Sequence, residues 1–450
     1  MKRLLFFMAI LSVMMSCKKT SYVAVFDKTP QERVADKINL VSTTLTGAPN
    51  GWIATLPTFA GGGYSFYFNF DNQQNVTMYA DLNDQSATTV AKSNYRVKQD
   101  IGIELVFDTY NYISMLDDPN AAIFGGASKI GFSSDIEFTY DRSTADSIVF
   151  IGKKYRQPFK LVKATAQQKA AYESAGLKTG IDKFKNFFLT NQFPYIEVTS
   201  GSAVLKVAIS PNITNALTTG KRIDLTGVLA DGTTVISKNQ KFSLNLNGAD
   251  VLNEGLVWQG ITFVRLAWKD VTTLALYDTA GKEYIVKNNA QPILNINLLW
   301  GTKYNALRGA YKTINPGTTA KGAAILNYYY NNLTPAFVGF SFNYGHITLS
   351  WNRVNQRFLF DGRCTQTGPS ETAGWVTNIT YNYTVNPDGS YKFTVLSPAS
   401  GGYVANVMTE LDKFLKNNDV LFDYYSDNGV VYGKMSSVQD PTIVMTFALQ

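Results

Sequence analysis

Histidine is nearly absent from this sequence, which has a single one, His346, in 450 residues. A zinc hydrolase of the His-Glu-x-x-His type needs two histidines on one helix face, so that class is excluded. A Ser-His-Asp triad would have to use His346, which begins a predicted strand, and no Gly-x-Ser-x-Gly elbow is present to supply the serine. The phosphate-binding and dinucleotide-binding glycine motifs are also missing. We therefore expect no metal site and no cofactor, and we assign no catalytic residue.

Cysteine is almost as scarce, with only Cys17 and Cys364. If Cys17 is acylated, Cys364 has no partner within the chain, so no disulfide framework holds the fold. Stability must then come from the apolar core. We interpret Cys364 as a small buried core residue, with a catalytic thiol as the alternative.

Dense positive charge and long apolar runs are missing as well. The net charge is +7, but the lysines are scattered along the chain, whereas a nucleic-acid surface needs a concentrated basic stripe. We expect no nucleic-acid partner. Beyond the N-terminus no segment approaches the roughly 18 consecutive apolar residues of a transmembrane helix.

The N-terminus has the pattern of an export signal. Lys2 and Arg3 precede an apolar core over residues 4–13, and Ser16 places a small side chain directly before Cys17. This pattern predicts a lipoprotein signal peptide over residues 1–16, with Cys17 as the lipid attachment site and first mature residue. The alternative is an ordinary signal peptide followed by an incidental cysteine. A lipid on Cys17 would be the only membrane anchor.

The mature chain begins with one clear helix and then changes to strand periodicity. Thr29, Pro30 and Glu32 form a capping-box pattern that starts the helix. From residue 64 the period becomes two: the aromatic residues Tyr64, Phe66, Phe68 and Phe70 face opposite to Ser65, Tyr67 and Asn69. Short strands with Gly, Asn and Asp turns recur to the end of the chain.

These patterns predict a mainly β fold with a minor α+β character. We expect antiparallel sheets or sandwiches, an N-terminal amphipathic helix and a few further helices. The predicted organisation is a tether over residues 17–25, a β-rich domain with a leading helix over 26–163, a helical connector over 164–194 and a C-terminal β-rich region over 195–450.

Two carboxylates are the best candidates for catalysis. Asp135 and Glu137 lie two residues apart on a predicted strand and therefore share a face, as the acid pair of a glycoside hydrolase requires. The same spacing fits a cation site, or simply the solvent side of a half-buried strand.

Aromatic residues are abundant, with 26 Tyr, 28 Phe and 6 Trp. Several tyrosines lie beside asparagine, and this combination suits sugar recognition, because a ring stacks on a sugar face while amides bind its hydroxyls. Cross-strand pairing of tyrosines on an exposed sheet is the alternative. The candidate ligand-binding residues are Tyr110, Tyr328, Tyr329, Tyr330, Tyr381 and Tyr383.

A series of short motifs in the N-terminal half occurs in a characteristic order. The motifs are Pro30-Gln31-Glu32-Arg33, Asn50-Gly51-Trp52, Gly62-Gly63-Tyr64, Ser93-Asn94-Tyr95, Ser134-Asp135-Ile136-Glu137-Phe138 and Gly152-Lys153-Lys154. In their order and spacing, residues 17–200 resemble a lipoprotein family of Bacteroidetes that is catalogued as domain of unknown function 4302. The resemblance implies an envelope lipoprotein that often accompanies polysaccharide-uptake machinery, and it implies no known activity. We expect the lipid anchor to lie in the outer membrane. Because no acidic run follows Cys17, cell-surface and periplasmic display both remain open.

Three functional hypotheses follow. The first is a non-enzymatic binding or accessory lipoprotein that contacts a glycan or a protein of a transporter complex. The second is a carboxylate-dependent glycoside hydrolase, and the third is a purely structural or interaction module. A shallow groove with aromatic residues would favour binding, whereas an acid pair in a cleft would favour hydrolysis.

Overall fold

The computed structural model describes residues 28–333, 343–366, 368, 374–399 and 403–450. The predicted signal peptide, Cys17 and the tether lie outside the described residues. Across the described part of the chain, no helix is long and apolar enough to cross a membrane. The fold is mainly β, with antiparallel strands and a few helices, which confirms the predicted fold class.

The leading helix, α1 (Pro30–Thr46), begins where the capping box predicts. The hydroxyl of Thr29 accepts the N–H of Glu32 at 3.3 Å, and the Glu32 carboxylate accepts the N–H of Thr29 at 2.8 Å. At its other end α1 buries Val41 and Leu45, and the Leu45 carbonyl accepts the indole N–H of Trp52 at 2.8 Å. These contacts attach α1 to the first strand.

Residues 52–163 form a closed eight-stranded antiparallel barrel, the first barrel. Its strands are β1 (Trp52–Pro57), β2 (Gly63–Phe70), β3 (Asn75–Ala80), β4 (Ala91–Gln99), β5 (Ile103–Phe107), β6 (Glu137–Ser143), β7 (Ser147–Gly152) and β8 (Pro158–Lys163). Short helices lie in its connections: α2 (Asp84–Thr88), α3 (Ser114–Asp117) and α4 (Ala121–Phe124). Phe66, Phe68, Phe107, Phe138 and Phe159 fill the interior, as is usual for a barrel of this size.

Helices α5 (Ala166–Glu173) and α6 (Gly176–Thr190) connect the first barrel to a ten-stranded antiparallel sheet, the middle sheet. Its strands are β9 (Pro194–Ser200), β10 (Ala203–Asn212), β11 (Arg222–Val228), β12 (Val235–Asn245), β13 (Gly248–Val251), β14 (Leu256–Trp258), β15 (Ile261–Trp268), β16 (Leu274–Asp278), β17 (Glu283–Ile285) and β18 (Lys287–Asn288). The sheet runs in the order β17-β16-β15-β13-β12-β11-β10-β9-β18, with β14 paired to β15.

The first barrel and the middle sheet share one hydrophobic core. Tyr67 and Tyr79 point out of the barrel and are buried among side chains of α5, α6 and the sheet. The ring of Tyr67 stacks on that of Tyr172 in α5, with ring centroids 4.9 Å apart. The alternation along β2 therefore separates two buried faces, one inside the barrel and one against the middle sheet.

Residues 306–449 form a second closed eight-stranded barrel, the second barrel. Its strands are β19 (Ala306–Gly309), β20 (Tyr344–Asn352), β21 (Arg357–Thr365), β22 (Trp375–Val385), β23 (Tyr391–Ser397), β24 (Asp419–Asp427), β25 (Val430–Ser437) and β26 (Val444–Leu449). Its helices are α7 (Ala320–Asn332) and α8 (Thr409–Asn417), with short 3-10 turns at Ile296–Leu298 and Tyr403–Asn406. The predicted C-terminal region thus contains an open sheet followed by a closed barrel.

Candidate functional site

A buried ion pair connects the first barrel to the middle sheet. Asp81 follows β3, and Lys221 precedes β11. The Lys221 ammonium donates to the Asp81 carboxylate at 2.7 Å, and the side chains of Lys221 and Asp81 are 2% and 0% exposed. The carboxylate also accepts the N–H groups of Ser65 (2.9 Å) and Leu244 (2.7 Å). Burial lowers the pKa of Lys221, whereas the neighbouring Asp81 raises it. Such a pair is stable only when both charges remain partnered.

Beside this ion pair lies a cleft of about 1100 Å³, which we call the helix cleft. One wall is residues 81–85, which run from the end of β3 into α2, and the others are α6 and residues 210–215, which run from the end of β10 into the β10–β11 loop. Its polar lining residues carry mostly amides and hydroxyls: Asn83, Gln85, Ser210, Asn212, Thr214 and Asn215. Lys185 adds a positive charge.

Asn215 and Lys185 each leave a polar group of this lining without a partner among the described residues. Asn215 donates its amide N–H to the Leu82 carbonyl at 2.8 Å, which leaves its Oδ1 buried without a hydrogen-bond partner among the described residues. Lys185 forms no ion pair within the described part of the chain. A group that enters the cleft can therefore gain a hydrogen bond and a charge contact that the protein leaves open.

Helix α6 contributes Ile181, Phe188 and Leu189 to the apolar part of the lining. Phe188 is half-buried in the cleft wall and packs on Phe184, with ring centroids 5.0 Å apart, while Leu189 lies beside it with 73% exposure. An aromatic ring beside amide and hydroxyl groups is the combination that binds the apolar face and the hydroxyls of a sugar. The helix cleft therefore combines an aromatic ring with amide and hydroxyl groups.

The predicted tyrosines lie elsewhere. Tyr329 and Tyr330 in α7 and Tyr381 in β22 are buried in the second barrel, with at most 1% exposure. Tyr383 is half-buried, and Tyr328 and Tyr110 are 38% and 60% exposed. The structure therefore brings Tyr329, Tyr330 and Tyr381 into one core, and Tyr110 lies apart from them in the first barrel.

The outward-facing members of this set have specific surroundings. The Tyr110 hydroxyl donates to Asp118 at 2.6 Å, and burial together with this hydrogen bond raises its pKa to about 12. None of the six tyrosines lines the helix cleft. Ligand binding by Tyr110, Tyr328 and Tyr383 stays a prediction, while the three core tyrosines offer no open ring face.

The two candidate carboxylates are both engaged by the protein. Asp135 is buried and accepts the backbone N–H groups of Lys154 (2.7 Å) and Tyr155 (3.0 Å), which fixes the β7–β8 connection. Glu137 accepts the Lys153 ammonium at 2.7 Å, and this hydrogen bond lowers its pKa. A general acid needs a raised pKa, so this environment does not suit Glu137 for proton donation.

A nearby acid has the opposite shift. Burial raises the pKa of Asp117, at the end of α3, to about 6. Asp117 and Asp135 line neither the helix cleft nor the second large cleft of the junction described below. Asp117 and the predicted pair Asp135 and Glu137 therefore lie outside the two clefts that have the volume for a glycan.

The remaining reactive side chains belong to the second barrel. Cys364 is buried, and burial raises the pKa of its thiol to about 12, so the reactive thiolate is scarce at neutral pH. His346 is buried in β20, with its Nδ1 3.4 Å from the Arg308 guanidinium. Neither residue lies in the helix cleft.

Sequence reasoning missed the helix cleft because its walls are far apart along the chain. The available signal was the pair of amide-rich turns, residues 82–85 (LNDQ) and 211–215 (PNITN), each with an apolar residue among its amides. The candidate tyrosines are chosen because they lie beside asparagine. These two turns have the same arrangement, with Leu or Ile in place of Tyr. Only the fold brings the two turns into contact beside α6.

Comparison with known families covers the region that forms this cleft. A model described as a domain of unknown function, DUF4302, matches residues 24–270, which is more than half of the chain. The match includes α1, the first barrel, α5, α6 and the middle sheet through β15, whereas the second barrel lies outside it. A search of curated proteins finds no match. The chain belongs to the DUF4302 family.

Proposed function

We propose that this protein is a non-enzymatic binding or accessory component of polysaccharide uptake, and that it holds an oligosaccharide in the helix cleft. The observation that carries the proposal is the buried Oδ1 of Asn215, an acceptor without a partner among the described residues. A sugar hydroxyl can donate to it. Phe188 supplies a ring face beside it, and Gln85 and Lys185 supply polar contacts.

Aromatic side chains pack the interiors of both barrels. The first is filled by packed phenylalanines, and in the second the rings of Trp300 and Trp351 stack with centroids 3.8 Å apart. Small-molecule clefts commonly measure about 300–1,000 Å³. The helix cleft reaches the top of that range, and its volume supports a ligand of several sugar units.

Binding of a polysaccharide panel, measured by affinity electrophoresis of the full chain, tests the proposal. Gln85→Ala and Phe188→Ala should each weaken retention by about fivefold, because a lost amide contact or ring contact is worth about 1 kcal/mol. The Gln85 side chain makes no hydrogen bond to another described residue, so its removal should leave the fold intact.

Tyr328→Ala is the matched control, since Tyr328 is an exposed aromatic residue outside the cleft. Equal retention by wild type and both cleft variants would contradict the proposal. If only Tyr328→Ala weakened retention, the exposed tyrosines would be the binding residues. Turnover of a glycan by wild type would make the carboxylate hydrolase the better hypothesis, and the absence of any ligand would favour the structural module.

We also propose that a lipid on Cys17 anchors the protein to the outer membrane. The support is the charged, apolar and small-residue order of residues 1–17. Cys17→Ala should abolish palmitate labelling and release the protein from the membrane fraction. Equal labelling of wild type and variant would contradict lipidation at this residue.

A further inference from the structure

A second cleft, of about 830 Å³, also lies at the junction of the first barrel and the middle sheet. We call it the strand cleft, because one wall is the outer face of β1 and β8 and the other is formed by β13 and β15. It shares no lining residue with the helix cleft. The two clefts are therefore separate sites on one junction.

The strand cleft is lined by more positive than negative side chains. Lys160 and Lys163 project from β8, and neither forms an ion pair in the described part of the chain. Arg265 and Arg142, which pairs with Asp141, add two guanidinium groups. The four cationic lining residues outnumber the two acidic ones, and this excess favours an anionic occupant.

The acidic lining residues are Asp250 and Glu254. The Asp250 carboxylate accepts the amide N–H of Asn245 at 2.7 Å; burial raises its pKa, whereas Asn245, Arg265 and Lys160 act to lower it. Glu254 lies on the loop between β13 and β14. The basic side chains therefore dominate the wall formed by β8.

A buried donor adds a second, independent feature. The hydroxyl of Tyr172, a lining residue from α5, has no hydrogen-bond partner among the described residues, and its side chain is 0% exposed. Burial raises its pKa, so the hydroxyl stays protonated and can only gain by donating to an acceptor. A carboxylate or sulfate oxygen is such an acceptor.

The loop beside Glu254 is held in a costly backbone conformation. Asn253, Glu254 and Gly255 all have positive φ, at 51°, 68° and 100°. Asparagine and glycine tolerate this region, whereas Glu254 costs about 1–2 kcal/mol there, and such strain concentrates at ligand sites. Asn253 and Glu254 line the cleft, so the strained segment forms part of its wall.

We propose that the strand cleft binds the carboxylate or sulfate groups of an acidic oligosaccharide. Lys160, Lys163 and Arg265 form the charge contacts, and the Tyr172 hydroxyl donates a hydrogen bond. This inference rests on the proposed glycan-binding function, but it uses none of the helix-cleft residues.

Isothermal titration of the full chain tests the proposal with four probes: a chondroitin sulfate oligosaccharide, an oligogalacturonate, a neutral cello-oligosaccharide of equal length and inorganic sulfate. The double variant Lys160→Gln with Lys163→Gln should lower the affinity for the acidic oligosaccharides at least about tenfold, because two charge-assisted contacts are lost. Tyr172→Phe removes only the hydroxyl and should lower this affinity by about fivefold. Lys238→Gln, on an exposed lysine of β12 outside both clefts, should bind as wild type does.

Equal affinity of the double variant and wild type for both acidic probes would overturn the inference, as would the failure of both acidic probes to bind. Inorganic sulfate that binds as tightly as the oligosaccharides would also overturn it, since the cleft would then be a simple anion site. In another outcome the neutral oligosaccharide binds, Lys185→Ala weakens that binding, and neither acidic oligosaccharide binds. This result would refute the strand-cleft inference and leave the helix-cleft function standing. If the acidic oligosaccharides bind through Lys160 and Lys163 and the neutral oligosaccharide does not bind, the strand-cleft inference is supported and the helix-cleft function is refuted.

Discussion

The two barrels have the same up-and-down topology but different surroundings. The first barrel shares a core with the middle sheet, through Tyr67 and Tyr79, and the Asp81–Lys221 pair crosses that boundary. The hydrophobic core of the second barrel draws its buried residues only from position 296 onward. One barrel is thus half of a larger unit, whereas the other has a complete core of its own.

This difference explains where clefts form. Side chains fill the interior of an eight-stranded barrel, and closure removes its edges, so a barrel alone offers little concave surface. The first barrel gains two clefts because a curved wall meets the middle sheet without complete contact. The DUF4302 match extends across the same barrel and sheet, in agreement with a single unit.

The largest expected difference between the two barrels comes from removing the cation of the Asp81–Lys221 pair. Lys221→Met leaves Asp81 buried without its counter-ion and should lower the free energy of unfolding of the barrel–sheet unit by about 3–5 kcal/mol. Calorimetry should resolve this unit from the second barrel as a separate transition, and only the first should move. The double variant Asp81→Asn with Lys221→Met should recover most of the loss.

Lys434→Met is the matched control, because Lys434 pairs with Asp423 at 3.0 Å on the surface of the second barrel. Its loss should cost less than about 1 kcal/mol. Comparable losses for Lys221→Met and Lys434→Met would contradict a special role for the junction pair.

Trp351→Ala should have the reciprocal effect. It removes the ring that stacks on Trp300 at 3.8 Å in the second barrel, and truncation of a buried tryptophan costs about 3–5 kcal/mol. The transition of the second barrel should fall while that of the barrel–sheet unit stays constant. A joint shift of both transitions would show that the two units unfold together.

A smaller effect is expected where the barrel backbone approaches the sheet. In Gly62→Ala the new methyl carbon would lie 2.3 Å from Cβ of Lys221 and 2.6 Å from the Gly220 carbonyl oxygen. This overlap should destabilise the barrel–sheet unit by about 1–3 kcal/mol. Gly433→Ala, which meets Leu307 inside the second barrel, should instead lower the other transition. An unchanged first transition in Gly62→Ala would contradict close packing at the junction.

The smallest effect concerns pH. Burial raises the pKa of Asp117 in the first barrel from 3.8 to about 6, so ionisation of this carboxyl destabilises the folded state above about pH 6 and has no effect below about pH 4. Asp117→Asn should therefore stabilise the barrel–sheet unit by about 1 kcal/mol at pH 8, allowing for partial exposure, and leave it unchanged at pH 4. Urea unfolding at both pH values measures this difference, and equal effects at the two would contradict the shift.

The sequence predicts local structure well wherever local chemistry determines it. The capping box at Thr29 and the alternation from Tyr64 to Phe70 appear as an α-helix and a strand. The sequence does not predict which distant segments pack against these elements. Tyr67 and Ser65 look like a solvent face, but both are buried, because a sheet more than a hundred residues later covers them.

The same limit applies to the candidate site. Asp81 and Lys221 are 140 residues apart, and nothing near either one indicates an ion pair. The sequence predicts Tyr329 and Tyr330 as exposed aromatic residues beside asparagine. Both lie on the buried face of α7, in the core of the second barrel. Barrel closure likewise depends on pairing Trp52 with Lys163 and Leu307 with Leu449, which no local pattern specifies.

The most direct test of ligand binding at the barrel–sheet junction is hydrogen–deuterium exchange of the full chain with and without an oligosaccharide that it retains. Residues 81–85 and 210–215 line the helix cleft, and bound sugar should slow exchange of their amides. Exchange in the second barrel, over residues 306–449, should not change. Protection confined to the second barrel, or to the surroundings of Tyr328 and Tyr383, would contradict the account.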